Sequence, residues 1–75
     1  MQEIQRLTAL IQREDDGYVS LCPELDIASQ GDTVEEARRN LIEAVELFFE
    51  AADPDEIGVR LHKEVYVTPL EIAVG

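Results

Sequence analysis

The sequence predicts a single α+β domain over residues 1–75, in which a four-stranded sheet carries one helix on one face. Three observations predict this class: turn signals between short strand-like segments, a helix-start motif followed by an apolar stripe, and a final alternating segment. With 75 residues and 45% apolar side chains, the chain can build one small core but not two. The expected element order is β-β-β-α-β.

The first two strands are predicted to form a hairpin. Residues 4–12 mix Ile and Leu with polar residues and lack Gly and Pro, which favours a strand with apolar groups on both faces. Residues 14–17 read Glu-Asp-Asp-Gly, and this composition favours a reversal of the chain. Residues 18–22 form the second strand, which Pro23 is expected to end because it has no amide hydrogen for a ladder.

A connection over residues 24–26 leads to a short third strand over residues 27–30, and a helix follows. Thr33 and Glu36 have capping-box spacing: the Thr33 hydroxyl is expected to accept from the Glu36 amide, and the Glu36 carboxylate from the Thr33 amide. The helix should therefore run from Thr33 to about Ala51. Its core-facing stripe recurs at three- and four-residue steps: Val34, Ala37, Leu41, Ala44, Val45 and Phe48.

The last predicted strand covers residues 59–68, where apolar side chains alternate after an acidic loop over residues 53–58. A right-handed crossover from the third strand through the helix would return this strand parallel and beside the first, which gives the sheet order 3-2-1-4. Beyond it, Leu70, Ile72 and Val74 alternate and are candidate oligomer contacts. Such a segment either adds a strand to a neighbour's sheet edge or is a loose end.

Charge and cysteine content limit the function. Six basic and 17 acidic residues give a net charge of −11, which opposes non-specific binding to nucleic acid or to anionic membranes and favours a basic protein partner. Cys22 is the only cysteine, and neither a leader pattern nor a membrane-length apolar run is visible, so a cytoplasmic protein is expected. No cofactor is expected.

Three motifs in order carry a family resemblance. Residues 14–19 read Glu-Asp-Asp-Gly-Tyr-Val, residues 23–25 Pro-Glu-Leu, and residues 30–37 Gln-Gly-Asp-Thr-Val-Glu-Glu-Ala. This combination resembles the HicB antitoxin family. The resemblance implies a partly degraded ribonuclease H-like fold. It also implies a partner, a small basic HicA-like toxin that cleaves mRNA and is neutralised by surface coverage.

The chain departs from the family pattern at two places. Asp26 and Ile27 stand where many members have Pro-Gly, so that turn is expected to differ in shape from theirs. Longer members add a helix-turn-helix or ribbon-helix-helix module that binds the operator, whereas only residues 69–75 follow the last predicted strand here. Direct nucleic-acid binding is therefore not expected.

A ribonuclease H-like fold raises the question of an enzyme. Two-metal cleavage needs several converging carboxylates, and active enzymes of that fold supply one from the first strand. Residues 4–12 contain no Asp or Glu, and Glu43, Glu46 and Glu64 are isolated acids, so a metal-dependent nuclease is only the weaker alternative. His62 is read as a surface or interface residue, and Cys22 as a small, half-buried apolar residue.

The leading hypothesis is a non-enzymatic antitoxin of a type II toxin–antitoxin system, which acts as a homo-oligomer, expected to be a dimer. Its candidate partner-contact residues come from the acidic turns and the hairpin: Asp15, Asp16, Tyr18, Glu24 and Asp26. The alternative for Asp15 and Asp16 is a solvated acidic turn, and for Tyr18 a place on a sheet face. The alternative function is a stand-alone HicB-like structural or regulatory oligomer without a toxin.

Overall fold

A computed structural model describes residues 4–61 and 64–75. Three strands and two helices follow one another along the chain: β1 (Leu10–Glu14), β2 (Gly17–Cys22), β3 (Ile27–Gly31), α1 (Val34–Ala51) and α2 (Pro54–Leu61). The strands form one antiparallel sheet in the order β1-β2-β3. Helix α1 covers one face of this sheet and lies mainly over β3 and β2.

The two strand connections adopt turns that suit their sequences. Glu14 pairs with Gly17, so residues 15–16 form a two-residue hairpin turn in which Asp15 has φ 53°. Asp is among the few residues with a side chain that visit this left-handed region readily. Strand β2 ends at Cys22, directly before Pro23, as the missing amide hydrogen of Pro23 predicts. Asp26, with φ 56°, closes the turn into β3.

The start of α1 follows its predicted cap with one difference. The Thr33 hydroxyl accepts from the Glu36 amide at 3.0 Å, as expected. The Glu36 carboxylate, however, accepts from the amide of Asp32 at 3.3 Å and not from that of Thr33. The cap therefore satisfies two amides at the helix entry, and α1 ends at Ala51 as its apolar stripe predicts.

Small residues bring α1 close to the sheet. Ser20 is buried in the middle of β2, and its hydroxyl donates to the Ala37 carbonyl oxygen in α1 at 2.9 Å. A Cβ at Gly31 would lie 2.5 Å from the Ala37 amide nitrogen, so no side chain fits between the end of β3 and the helix. The core beside this contact contains Cys22, Leu25 and Leu41.

The predicted four-stranded sheet with the order 3-2-1-4 and a single helix is wrong, and with it the β-β-β-α-β order of a ribonuclease H-like fold. Of the predicted fourth strand, residues 59–61 belong to α2, residues 62–63 lie outside the described residues, and residues 64–68 form neither helix nor strand. The described elements therefore follow the order β-β-β-α-α.

Local signals explain why α2 replaces the beginning of that strand. Pro54 occupies the first helical position, where its missing amide hydrogen is not needed and its fixed φ suits a helix. Asp55 and Glu56 lie in the first turn, at the positive end of the helix dipole. Arg60 then pairs with Glu56 one turn away at 3.4 Å. The acidic loop of the prediction is thus the beginning of a helix.

The first predicted strand is also shorter than expected. It begins at Leu10 and not at residue 4, because its partner strand stops before Pro23. Thr8 would lie opposite Pro23 if the register of β1 and β2 continued. Its amide donates instead to the Glu24 carboxylate at 3.1 Å. Residues 4–9 thus follow the sheet without joining its ladder, and Leu7 packs against the core.

Helix α2 is held against the rest of the fold by Arg60. The guanidinium donates to the Leu25 carbonyl oxygen in the β2–β3 turn. Its Cζ also lies 5.0 Å from the centre of the Phe48 ring, within cation–π range. One side chain therefore connects α2, α1 and the turn.

Candidate functional site

A concave acidic surface lies at the hairpin end of the sheet. It encloses about 660 Å³ between the β1–β2 turn and the entry of α1, and we call it the acidic groove. Five carboxylate residues line it: Glu14, Asp15, Asp16, Asp32 and Glu36. Among the described residues that line it, none is basic. The groove is therefore a site of concentrated negative charge.

Two backbone features build this groove. The tight turn at residues 15–16 places two carboxylates at the tip of the hairpin. Gly31 lets the α1 entry approach β3 closely, which brings Asp32 and Glu36 to the same end of the molecule. Four of the five acidic residues are exposed and Glu36 is half-buried. In the part of the chain that the structure describes, none of the five forms an ion pair.

Tyr18 supplies the aromatic surface of the groove. It is half-buried near the beginning of β2 and pairs with Gly31 of β3 across the sheet. Because Gly31 has no side chain, the Tyr18 ring has no side-chain neighbour at its paired position on that strand. The groove therefore combines carboxylates with a half-buried aromatic residue, and Tyr is a residue type enriched in binding hot spots.

The structure brings together three of the five predicted partner contacts: Asp15, Asp16 and Tyr18. Glu24 and Asp26 lie in the turn at the opposite end of the sheet. Asp26 is exposed, whereas Glu24 is half-buried and its carboxylate is engaged by Thr8. Asp32 and Glu36 also line the groove, although the sequence predicts them only as residues of the helix entry. Their place in the groove depends on the pairing of β3 with β2, which no local motif reveals.

The Glu24 carboxylate is held by two bonds from one residue. The Thr8 hydroxyl donates to Oε2 at 2.6 Å, and the Thr8 amide donates to Oε1 at 3.1 Å. Partial burial opposes ionisation of this carboxyl, but the hydrogen bonds outweigh it and lower the pKa of Glu24 below its ordinary value. The ionised form therefore stabilises the contact between residues 4–9 and the β2–β3 turn.

A Glu24→Gln variant should lose part of this stabilisation. We expect the free energy of unfolding at pH 7 to fall by about 1 kcal/mol, since hydrogen bonds to a charged acceptor are stronger than those to a neutral amide. Because the pKa of Glu24 is lowered in the folded state, its contribution is present above the ordinary carboxyl value of 4.5. It is lost as the pH falls through the folded-state value.

Urea denaturation between pH 7 and pH 3 measures this effect. The difference in the free energy of unfolding between wild type and Glu24→Gln should become smaller as the pH falls. Asp26→Asn is the matched control, because Asp26 lies in the same turn and makes no side-chain hydrogen bond with any described residue. If the free energies of unfolding of wild type and Glu24→Gln differ by the same amount at all pH values, the stabilisation does not come from the ionised Glu24 carboxylate.

Cys22 belongs to the core. Its side chain is 1% exposed, so it is more deeply buried than the half-buried residue that the sequence predicts. Its Sγ lies 3.6 Å from the Glu24 carboxylate and donates to it. Burial raises the pKa of the Cys22 thiol, and the neighbouring Glu24 carboxylate acts in the same direction. The protonated thiol is therefore favoured, which argues against a nucleophilic role.

The other predicted groups lie apart from the acidic groove. Glu43, Glu46 and Glu64 are exposed, and His62 lies outside the described residues. Within residues 4–61 and 64–75, no group of three or more His, Cys, Asp or Glu side chains is placed to hold a metal ion. Leu70, Ile72 and Val74 are exposed in a segment without regular structure.

A second groove, of about 680 Å³, lies between α1, α2 and residues 5–9. Its walls are largely apolar and include Leu7, Leu41, Val45, Phe49 and Leu61; we call it the apolar groove. The sequence does not predict this groove, because residues 53–58 were expected to form a loop and residues 59–61 part of a strand, whereas residues 54–61 form α2. Neither α1 nor α2 is long and apolar enough to cross a membrane, and no other helix occurs in the described residues.

Relatives of the chain are small proteins of one family. A UPF0150 protein of Helicobacter pylori is 37% identical over 68 residues, which cover 89% of this chain and 94% of the relative. A UPF0150 protein of Synechocystis is 40% identical over 75 residues, which cover 97% of this chain and 94% of the relative. A second Synechocystis UPF0150 protein is 48% identical over 46 residues, or 59% of this chain and 64% of the relative.

No protein-family model matches the chain, and no solved structure matches it significantly.

Proposed function

The chain belongs to the UPF0150 family, and on this premise we propose that it is a non-enzymatic antitoxin that binds and neutralises a basic HicA-like mRNA-cleaving toxin. The observation that carries the proposal is the acidic groove, with its five carboxylates and no basic residue among its described lining. The motifs that resemble the HicB family support the same role. Two of the three, residues 14–19 and 30–37, supply nearly all of the groove's lining, whereas residues 23–25 lie at the opposite end of the sheet.

The charge of the protein suits a basic partner. The net charge is −11, and the groove concentrates five of the 17 acidic residues at one end. Opposite charges steer two proteins together and raise the association rate, and the effect weakens as salt screens it. A ribonuclease that binds RNA phosphates presents a basic surface, and the groove carboxylates would occupy that surface in place of the RNA.

A stable complex must extend beyond the groove. A typical specific interface covers about 800 Å² on each partner, roughly an eighth of the 6439 Å² surface of this protein. Tyr18 is the groove's aromatic residue and the candidate anchor at the centre of such an interface. The exposed residues of the hairpin and of the α1 entry form its acidic rim.

Association kinetics with a HicA-like toxin test the proposal. We expect the double variant Asp15→Asn/Asp16→Asn to lower the association rate constant about tenfold at low salt, with a smaller loss at high salt. Asn tolerates the positive φ of Asp15, so the turn is retained. The matched control is Asp53→Asn/Asp55→Asn, which changes the net charge equally but lies at the entry of α2, outside the groove.

The control variant should change the rate constant by less than about threefold. Equal effects of the two double variants would show that only net charge matters and would remove the groove from the proposal. Failure of the wild-type protein to bind a HicA-like toxin, or to relieve its toxicity on co-expression, would overturn the antitoxin function.

The exposed tail of the chain favours a second candidate function, a stand-alone structural or regulatory oligomer without a toxin. Leu70, Ile72 and Val74 are apolar and exposed, as expected of residues that contact another protein. This candidate predicts self-association without toxin binding, and the absence of a neighbouring gene for a small basic protein would favour it. Cleavage of RNA or DNA by repurified protein with Mg²⁺ or Mn²⁺ would instead support the nuclease alternative.

A further inference from the structure

Strand β1 lies at one edge of the sheet. Within residues 4–61 and 64–75, β1 pairs only with β2, so the outer edge of Leu10–Glu14 offers unpaired amides and carbonyls. Such edges are templates for pairing with another chain. The apolar groove adjoins the beginning of β1, because residues 5–9, which lead into that strand, form one of its walls.

The groove and the edge together form one acceptor surface. Side chains of a strand point alternately to its two faces. A strand added to β1 therefore directs every second side chain to the face on which α1 lies. Helix α1 lies mainly over β3 and β2, which leaves room at this position, and Leu41, Val45 and Phe49 face that room. An extended segment with one apolar face would therefore fit this acceptor surface.

Residues 64–75, which we call the tail, have these properties. They form neither helix nor strand, and their side chains at Leu70, Ile72 and Val74 are 81%, 72% and 90% exposed. Glu71 and Ala73 alternate with them, so residues 70–74 in extended form have one apolar face. This segment and β1 are both five residues long.

The tail does not fill the apolar groove of its own chain, because none of residues 64–75 is among the residues that line this groove. The principal dimensions are 51 × 28 × 20 Å and the radius of gyration is 14.5 Å, against about 11 Å for a compact domain of this length. In the described residues the tail makes no strand pairing with β1. Apolar side chains and an apolar acceptor are therefore both left uncovered in a single copy.

Charge favours a second copy as the occupant. Only six residues of the chain are basic, yet three of them, Arg6, Arg13 and Arg38, lie on β1, on the segment before it, or in the apolar groove. The tail carries Glu64 and Glu71 and, within its described residues, no basic side chain. The same surface carries two acidic residues, Glu14 of β1 and Glu46 of the apolar groove. Its charged residues therefore sum to +1, against −11 for the chain, so the acceptor is the less acidic side of the molecule and complements the tail of another copy.

We propose that two copies exchange their tails, so that residues 70–74 of each copy pair with the outer edge of β1 in the other and place Leu70, Ile72 and Val74 in its apolar groove. The exchange is reciprocal, because each copy offers one tail and one acceptor, and it closes as a two-fold dimer. The acidic groove lies at the other end of β1 and meets the paired edge only at Glu14, so the rest of its lining stays free. The inference does not depend on the proposed antitoxin function.

Sedimentation equilibrium of the whole chain tests the exchange. Wild type is expected at twice the monomer mass of 8.4 kDa. Ile72→Asp should raise the dimer dissociation constant at least about tenfold, because it would bring a carboxylate into an apolar groove. Ala73→Asp adds the same charge to the adjacent residue on the opposite strand face and should change the constant by less than about threefold.

Circular dichroism establishes that both variants fold, and amide hydrogen exchange identifies the acceptor. Amides on the outer edge of β1 should be protected in the dimer and lose this protection on dilution. A monomeric wild type, equal effects of the two substitutions, or β1 protection that is independent of concentration would each overturn the exchange. The last result would mean that each tail pairs within its own chain. Failure to bind a toxin would leave all these measurements unaffected, so the two proposals fail separately.

Discussion

The Gly31→Ala variant is expected to lose about 3 kcal/mol of the free energy of unfolding. A Cβ at this position would lie 2.5 Å from the Ala37 amide nitrogen, 2.8 Å from the Glu36 carbonyl carbon and 2.9 Å from the Ala37 Cα. All three atoms belong to the backbone of α1 and cannot rotate away as a side chain can. The helix must therefore move off the sheet, and overpacking of this kind costs about 1–3 kcal/mol.

Gly58→Ala is the matched control, with an effect of opposite sign. Gly58 lies inside α2, and a Cβ there meets no described atom within 4 Å. Replacement of a helical Gly by Ala stabilises a helix by about 0.5–1 kcal/mol. Urea denaturation followed by far-ultraviolet circular dichroism compares the two variants. A Gly31→Ala protein as stable as wild type would mean that α1 does not approach β3 as closely as described.

The second large effect is expected for Leu25→Ala, with a loss of about 2–5 kcal/mol. Leu25 is 0% exposed although it lies in the β2–β3 turn, and it forms the core with Cys22 and Leu41. Its truncation leaves a cavity that the turn cannot fill, because the Leu25 carbonyl is also bonded to Arg60 of α2. Since a domain of this size is marginally stable, such a loss is expected to unfold a large fraction of the protein.

Leu47→Ala provides the comparison for this substitution. Leu47 lies in α1 and is 63% exposed, so its truncation should change the free energy of unfolding by no more than about 0.5 kcal/mol. Thermal and urea unfolding of the two variants give the difference directly. A loss below about 1 kcal/mol for Leu25→Ala would place this side chain outside the core.

The candidate site was only partly predictable. Asp15 and Asp16 could be identified because a Glu-Asp-Asp-Gly run before a strand predicts an exposed turn. Asp32 and Glu36 could not be placed beside them, because their proximity depends on the pairing of β2 with β3. Glu24 resembled the other acidic turn residues in sequence, but Thr8, which is 16 residues away, engages its carboxylate.

The sequence by itself determined the hairpin, the end of β2 before Pro23 and the helix that begins after Thr33. Each of these features depends on groups within a few residues of one another: an acidic turn, a missing amide hydrogen and a hydroxyl that accepts from an amide three residues later. Short-range interactions of this kind act in the same way whatever the rest of the chain does.

Only the tertiary structure determined which conformation residues 4–9, 59–61 and 64–68 adopt. The alternation over residues 59–68 suits a strand, but a strand needs a partner, whereas α2 satisfies its backbone internally and gains the contacts of Arg60 with Leu25 and Phe48. Residues 4–9 likewise have no ladder partner, because β2 ends at Cys22, before Pro23. Strand pairing is a long-range interaction, so local patterns indicate which segments can form strands and only the packed chain determines which of them do.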